Sequence, residues 1–396
     1  MKAAFALVLA YLTLFILVGC SSTSPSAFHP TTAPPTTTAT FAWQGTIAFE
    51  QFQSTSDNWL LDTYYLQPGA NKKVSDYSYR YRPTKWSPNG QYFASYGVKS
   101  SDEAGDRPAK LLIYTRSGDL VQNFDIQKVC SNFSWTPDSS AIVGIDNYNI
   151  CKFPIGGAKQ ELIAGGYYQN VVFSQDNVYA YYQSRSGDFG LTCNIRRIKI
   201  TDLLAGNEKY EDVFQIAKTA YHEDILMEQL DSDTWLIGYS NDDNWPTLFI
   251  MGKLNTNTKQ LTGSVTLPDE YIYQVAVSPD KKQIAYLCDG YIRLSDINFN
   301  SEKYDYPKRA DQNNEYSFRG LCWSPDSTML AINLGFADNI NYTDSSYTYH
   351  GQVVISRISD GKIQTIYDQA NVWRSARNAE FQPSCNDLQT ALCWTY

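Results

Sequence analysis

Few side chains in this chain of 396 residues have the types and spacing that catalysis or metal binding requires. No Gly-x-Ser-x-Gly segment supplies a hydrolase nucleophile, and no Cys-x-x-Cys spacing indicates a structural zinc site. Asp231 and Asp233, like the pair at 242–243, do not follow the spacing of a calcium loop. Only three histidines occur: His29, His222 and His350. We therefore predict no catalytic residue, no metal site and no cofactor; a site that joins two histidines to carboxylates is the alternative.

Aromatic side chains have more to offer a ligand, since the chain holds 30 Tyr, 18 Phe and 9 Trp. A polar stretch rich in Asn and Tyr, residues 336–350, lengthens one part of the chain. Binding residues concentrate on loops that a rigid scaffold holds, and exposed tyrosine is a frequent interface anchor. We predict that Tyr342, Tyr347 and Tyr349 contact a partner; a surface loop without a role is the alternative.

The formal net charge of −9 limits the classes of ligand. An acidic surface repels the phosphates of nucleic acids and the headgroups of anionic lipids. We therefore exclude nucleic acid as a partner, as well as direct docking of the folded domain on anionic lipid. Tyrosine and tryptophan beside carboxylates also suit the binding of sugar rings, so a glycan is an alternative ligand.

A recurring turn organises the part of the chain that must position these residues. In each copy Ser or Thr opens the turn, Pro favours φ near −65°, and Asp or Asn tolerates the next position of a type I turn. The copies are Trp86–Gly90, Trp135–Ser139, Phe173–Asn177 (the loosest, without Pro), Val277–Lys281 and Trp323–Ser327. Weaker copies around Ser232 and Ser384 bring the number to seven.

Two further features repeat with the turn. A second hairpin follows in each unit, and a small residue lies in the apolar strand after each turn. The small residues are Ala94, Gly144, Ala180, Gly238, Ala285, Ala331 and Ala391. Short strands in units of about 40 to 60 residues are typical of propellers with four-stranded blades.

We predict an all-β fold over residues 41–396, a seven-bladed β-propeller of four-stranded antiparallel blades, with six or eight blades as alternatives. Strands from the N- and C-terminal parts of the chain are expected to complete one blade together and close the ring. Thr46–Gln51 and Leu388–Tyr396 compete for one place in that blade. One of these strands is therefore expected to be an appendage.

The Trp-Ser-Pro-Asp turn, followed by strands such as Leu330–Ile332, resembles the TolB-type, WD-like propeller repeat of bacterial envelope proteins. The resemblance covers nearly all of residues 41–396. It implies the propeller fold and location in the cell envelope, but it is nearly silent on activity, because propellers host many functions.

The first forty residues have the composition of an export signal and a tether. Lys2 precedes an apolar stretch at 3–18, which is shorter than the roughly 20 residues that span a bilayer and predicts a signal peptide over residues 1–19. The end of this stretch, Gly19–Cys20, resembles the bacterial lipobox. The resemblance implies cleavage before Cys20, lipid on its thiol and, because Ser21 follows, sorting to the outer membrane facing the periplasm. An ordinary secretory signal is the alternative.

Residues 20–40 are rich in Ser, Thr and Pro, and they predict an extended tether that reaches roughly 60 Å. The other cysteines then lie in an oxidising compartment, where disulfides form. We pair near neighbours in sequence: Cys385 with Cys393, Cys130 with Cys151, and Cys288 with Cys322. Cys193 is left over, and buried thiols are the alternative for the two longer pairings.

These features together predict a propeller anchored to the envelope by a lipid on Cys20. We expect it to act as a non-catalytic scaffold that binds another envelope protein. A propeller that binds or cleaves a glycan is the alternative.

Overall fold

The computed structural model describes residues 41–55, 58–73, 85–98, 109–127, 133–186, 192–217, 226–240, 249–267, 272–288, 291–302, 317–341, 346–374 and 392–395. Seven four-stranded antiparallel sheets form a ring, so the predicted all-β, seven-bladed propeller is confirmed. Residues 38–396 belong to one compact unit. Among the described helices, none is long and apolar enough to cross a membrane.

The strands are numbered in chain order, and each blade is one sheet. Blade 1 contains β1 (Thr46–Thr55), β2 (Asn58–Gln67), β3 (Ala70–Lys73) and the last strand of the chain, β28 (Leu392–Thr395). Blade 2 contains β4 (Lys85–Trp86), β5 (Tyr92–Val98), β6 (Ala109–Thr115) and β7 (Leu120–Ile126). Blade 3 contains β8 (Ser134–Trp135), β9 (Ala141–Asp146), β10 (Asn149–Pro154) and β11 (Gln160–Ile163).

Blade 4 contains β12 (Tyr167–Phe173), β13 (Tyr179–Ser186), β14 (Thr192–Lys199), a short helix α1 (Ile200–Leu204) and β15 (Tyr210–Ala217). Blade 5 contains β16 (Leu226–Gln229), β17 (Thr234–Ser240), β18 (Phe249–Asn255) and β19 (Gln260–Leu267). Blade 6 contains β20 (Ile272–Val277), β21 (Gln283–Cys288), β22 (Tyr291–Asp296) and β23 (Ser301–Glu302). Blade 7 contains β24 (Ser317–Trp323), β25 (Met329–Asn341), β26 (Ser346–Arg357) and β27 (Ile363–Arg374).

The core of the propeller lies between the blades, so the second strand of a blade is buried on both faces. In β9, for example, Ile142 packs in the cluster shared with blade 2, and the next residue, Val143, packs in the cluster shared with blade 4. Successive side chains of a strand point to opposite faces, so both faces of β9 need apolar residues. This requirement explains why such strands read as continuous apolar runs rather than as an alternation.

The ring is closed by the two ends of the described chain. β28 is the innermost strand of blade 1 and pairs with β1, with Ala48 opposite Cys393. The expectation that one of these strands is an appendage is therefore wrong, because they occupy neighbouring places rather than the same one. The small residue of blade 1 is Ala48, which is fully buried, whereas Ala391 lies outside the described residues.

The recurring turn is built by one serine and one aspartate. Ser324 Oγ donates to Asp326 Oδ1 at 2.6 Å and accepts from the backbone N–H of Met329 at 2.9 Å. The N–H of Ser327 donates to the carbonyl of Ser324, and Ser327 has φ +63°. The turns at Ser87, Thr136, Ser174 and Ser278 share this pattern, with Asn89 in place of the aspartate in blade 2.

Of the two weaker copies of the turn, one forms a different turn and the other lies outside the described residues. In blade 5 the turn is one residue shorter, and Asp231 Oδ1 alone accepts the N–H groups of Asp233 and Thr234, so Ser232 does not play the predicted role. The predicted copy at Ser384 lies outside the described residues. Blade 1 needs no such turn, because its two inner strands come from opposite ends of the chain.

Candidate functional site

Blade 7 is extended well beyond blades 2 to 6, and this extension contains two of the predicted binding tyrosines. β25 has 13 residues, whereas the second strands of blades 2 to 6 have six to eight. At about 3.3 Å per residue, the additional residues lengthen the sheet by about 20 Å. The neighbouring blade 1 is also long, with 10 residues in β1 and 10 in β2.

The stretch 336–350 was expected to be a loop, but most of it continues β25 and β26. Tyr347 stands opposite Trp373 in the β26–β27 register, and Tyr349 stands opposite Asn371. Tyr342 lies outside the described residues. The extension is therefore a hydrogen-bonded sheet, and the contact of its tyrosines with a partner stays a prediction.

Three charged side chains from three blades interact near the axis of the ring. Glu228 lies on β16, Lys85 lies on β4, and Lys281 follows β20; β16, β4 and β20 are innermost strands. Lys281 Nζ donates to the carbonyl of Gln229 at 2.8 Å, which holds this lysine beside β16. Burial raises the pKa of Glu228, although Lys85 and Lys281 oppose the rise. Burial likewise lowers the pKa of Lys281, against the effect of Glu228.

Both of these shifts favour the neutral form of the group. Glu228 and Lys281 therefore interact electrostatically at a place where burial disfavours the charged form of each group. Such a pair can be a functional site or a structural ion pair. Among the described residues, no group of three potential metal ligands accompanies it.

A cleft of about 690 Å³ lies between blades 1 and 2. It is lined by the β2–β3 hairpin, by the turn that precedes β5, and by the β6–β7 hairpin. Two cations, Lys72 and Arg116, and one aromatic ring, Tyr92, contribute to the lining. Most of the remaining lining side chains are amides and hydroxyls: Gln67, Asn71, Asn89, Gln91, Thr115 and Ser117.

The two cations of the cleft differ in their partners. Lys72 Nζ donates to the carbonyl of Ser117 at 2.8 Å and forms an ion pair with Asp119 at 3.3 Å. No carboxylate among the described residues lies within ion-pair distance of Arg116. The cleft therefore keeps an excess positive charge in a chain whose net charge is −9.

The predicted disulfide between Cys130 and Cys151 is not formed. Cys151 is a buried free thiol that packs with Ile113 and Phe153 between blades 2 and 3, and burial raises its pKa to about 11. Cys130 lies outside the described residues. Sequence proximity was misleading here, because the side chain of Cys151 belongs to the interblade core.

The predicted pairing of Cys288 with Cys322 is not formed either, because Cys322 is a thiol. Cys322 is a thiol that packs against the cluster shared by blades 7 and 1, whereas its neighbours Leu321 and Trp323 pack toward blade 6. Cys288 lies at the end of β21 in blade 6.

The bond between Cys385 and Cys393 stays a prediction, because Cys393 lies in β28 and Cys385 is outside the described residues. The predicted lipidation site, Cys20, also lies outside them. Cys193, the expected odd cysteine, is a buried thiol in β14.

Sequence reasoning did not find the residues of the cleft or of the axial pair. Arg116 directly precedes the Ser-Gly-Asp of a hairpin and gives no signal of its own. Its lack of an acidic partner depends on which hairpins the ring brings together, which is a property of blade packing. The raised pKa of Glu228 likewise depends on blade packing, since its lysine neighbours come from two other blades.

Comparison with known proteins identifies the fold alone. No family model matches the sequence, and no curated protein matches it either. A structure of prolyl endopeptidases is 13% identical, with a TM-score of 0.50 over 83% of this chain and 50% of that chain. The C-terminal WD40 domain of Sif2 is 14% identical, with a TM-score of 0.47 over 74% of this chain and 76% of that one. The Cps50 (Swd1) propeller of Myceliophteria thermophila is 9% identical, with a TM-score of 0.44, 74% of this chain and 86% of that one.

Proposed function

We propose that this chain is a lipid-anchored β-propeller of the bacterial cell envelope that acts as a non-catalytic scaffold for another protein. The observation that supports the proposal is the extension of blade 7. The second strand of blade 7 is nearly twice as long as those of blades 2 to 6, which is more than a blade of this propeller needs in order to pack.

The outer edge of the extension is suited to protein binding. β27 is the outermost strand of blade 7 and has 12 residues, whereas the outermost strands of the other blades have two to eight. An outer strand presents a row of backbone donors and acceptors to which a strand of a partner can add. The cross-strand neighbours Tyr347 and Trp373 are of the types that anchor protein interfaces.

Site-specific crosslinking in cells tests this function. A photoreactive amino acid replaces Tyr347 or Tyr349 in the full chain, and Tyr210, which is 43% exposed on the outer strand of blade 4, is the control position. We expect both blade 7 positions to crosslink one discrete protein that the control position does not capture. The same crosslinks from Tyr210, or none from Tyr347 and Tyr349, would contradict the scaffold proposal.

The anchor is tested separately. In Cys20→Ala we expect loss of metabolic labelling with palmitate and transfer of the protein from the membrane fraction to the soluble fraction. Cys151→Ala is the matched control and should keep both properties, because Cys151 lies in the folded core. Labelling that persists in Cys20→Ala would show that the lipid is elsewhere.

Glycan binding is the second candidate function, and the cleft between blades 1 and 2 favours it. Hydroxyl-rich ligands need a mixture of donors and acceptors, and amide side chains supply both. The cleft volume of about 690 Å³ lies within the range of small-ligand sites.

A further inference from the structure

We propose that the cleft between blades 1 and 2 binds an acidic sugar and that Arg116 recognises the sugar carboxylate. The inference rests on glycan binding as the second candidate function and names the ligand class. It depends on three properties of the cleft: a fixed backbone, a guanidinium without an acidic partner, and a lining of amides and hydroxyls.

The backbone around Arg116 is held by its own hairpin and by the neighbouring turn. The N–H of Arg116 donates to the carbonyl of Gln91 at 2.7 Å, and the N–H of Thr115 donates to the carbonyl of Asp119 at 2.8 Å. These bonds join the β6–β7 hairpin to the start of β5. A ligand therefore meets a preformed site and does not need to order a loop, which lowers the cost of binding.

Gly90 places the guanidinium at the seam where β28 closes the ring. This residue has φ +65°, and a Cβ atom there would lie 3.7 Å from Arg116 Nη1 and 3.6 Å from Thr395 Oγ1, which is ordinary van der Waals contact. The positive φ, rather than a lack of space, favours glycine here.

Arg116 differs from Arg196, Arg197 and Arg357 in having no acidic partner among the described residues. Arg196, Arg197 and Arg357 form ion pairs with Asp212, Glu211 and Asp360, respectively. The planar guanidinium matches a carboxylate through two parallel hydrogen bonds. An arginine that the protein leaves unpaired in a cleft is available to an anionic ligand.

The lining favours a singly charged sugar over a peptide or a phosphate. A peptide site needs apolar pockets for side chains, whereas Ala70 and Tyr92 are the only apolar or aromatic residues of this lining. Asp119 offsets one of the two cations, so the cleft offers about one net positive charge, which one carboxylate neutralises. Thr115, Ser117 and Asn89 already hydrogen-bond within their own turns. The side-chain amides of Asn71 and Gln91 can then bind the ring hydroxyls, with the Tyr92 ring as a platform.

The test measures binding of the full mature chain by calorimetry. The probes are short oligosaccharides of glucuronate, galacturonate and mannuronate, their carboxyl-reduced counterparts, and inorganic phosphate. We expect at least one acidic oligosaccharide to bind about tenfold more tightly than its reduced counterpart, as one charge-assisted hydrogen-bond pair provides. Added NaCl should lower the affinity for the acidic probe and leave the affinity for the reduced probe nearly unchanged.

Variants connect the effect to Arg116. Arg116→Gln should lower the affinity for the acidic probe about tenfold and leave the affinity for the reduced probe unchanged. Arg116→Lys keeps the charge but loses the planar fork, so it should bind with intermediate affinity. Arg357→Gln removes the same charge from the corresponding hairpin of blade 7 and should change neither affinity. A melting temperature measured for each variant shows that it is folded.

Several outcomes overturn the inference. Equal affinity for acidic and reduced probes would leave glycan binding in place but remove the role of the carboxylate. Tighter binding of phosphate than of any acidic sugar would show a simple anion site, and a loss in Arg357→Gln equal to that in Arg116→Gln would show unspecific attraction. Binding of no oligosaccharide at all would remove both the inference and glycan binding as a function.

Discussion

Replacing Ser324 by alanine removes the hydroxyl at the centre of the recurring turn in blade 7. Its side chain is only 2% exposed, and Oγ both accepts from Met329 N–H at 2.9 Å and donates to Asp326 Oδ1 at 2.6 Å. The alanine variant would leave the N–H of Met329, at the start of β25, without its acceptor. The carboxylate of Asp326 is exposed and would find water instead.

The expected loss of stability follows from these two bonds. A buried backbone donor left without a partner costs about 1–3 kcal/mol, and a hydrogen bond to a charged group contributes about 1.5–3 kcal/mol when it is shielded. Because water replaces part of the second bond, we expect Ser324→Ala to lower the free energy of unfolding by about 2–4 kcal/mol.

Two variants with matched chemistry make this expectation specific. Ser324→Thr should cost less than about 1 kcal/mol, because Thr136 makes the same two bonds in blade 3, to Asp138 Oδ1 at 2.7 Å and from Ala141 N–H at 3.0 Å. Ser359→Ala removes an exposed hydroxyl from the β26–β27 hairpin and should change the stability by less than about 0.5 kcal/mol. Urea unfolding followed by fluorescence gives the three values. A Ser324→Ala variant as stable as Ser359→Ala, or a threonine variant as unstable as the alanine one, would refute the reasoning.

Three further predictions concern single ionisable groups. Burial raises the pKa of Asp326, but its hydrogen bonds from Ser324 and Thr328 outweigh this effect and hold the pKa below its usual value. The ionised carboxylate therefore stabilises the folded protein above the unfolded pKa of about 4, and this contribution is lost as the pH falls through the lower pKa of the folded state. The stability advantage of wild type over Asp326→Asn should therefore shrink between pH 6 and pH 3 in urea titrations, and an unchanged difference would contradict the assignment. Burial raises the pKa of Glu228, so its ionised form lowers the stability of the folded protein at neutral pH. Glu228→Gln should therefore melt at a higher temperature than wild type at pH 8 and lose this gain at pH 4. A lower melting temperature of the variant at pH 8 would show that the attraction of Glu228 to Lys85 and Lys281 outweighs its burial. Cys151, with its pKa raised to about 11, should resist alkylation by iodoacetamide at pH 8 in the native protein and should be alkylated in urea without reductant. If Cys151 were not alkylated in urea, the predicted disulfide with Cys130 would be supported.

The repeat was predictable because the information for each turn lies within six residues. Ser at the first position and Asp two residues later satisfy the same backbone groups in every copy, so the pattern shows in the sequence. The turn of blade 5 was mispredicted because Asp231 alone builds it, and a single aspartate is not a distinctive pattern in the sequence.

The closing blade could not be assigned in detail, because pairing between chain ends is not local. Thr46–Thr55 and Leu392–Thr395 both contain apolar and aromatic residues, and neither sequence indicates which strand lies nearer the axis of the ring. The disulfide pairing predicted from sequence separation was wrong for a related reason. Leu321, Cys322 and Trp323 are consecutive, yet they face two different blade interfaces. Separation along the chain says little about distance when each strand alternates between two cores.

The extension of blade 7 and the cleft between blades 1 and 2 lie at the two sides of blade 1, where the ring closes. Residues that recur in every blade serve packing and turn geometry, so a function specific to this chain must reside where the blades differ. The long β1–β2 and β25–β26 hairpins connect second and third strands, whereas the turns and hairpins of the cleft connect first with second and third with fourth strands. In an antiparallel blade these two kinds of connection lie at opposite ends of the strands. A protein on the blade 7 extension and an acidic sugar in the cleft would thus bind opposite sides of the ring, and saturation with the sugar should leave the crosslinks from Tyr347 and Tyr349 intact.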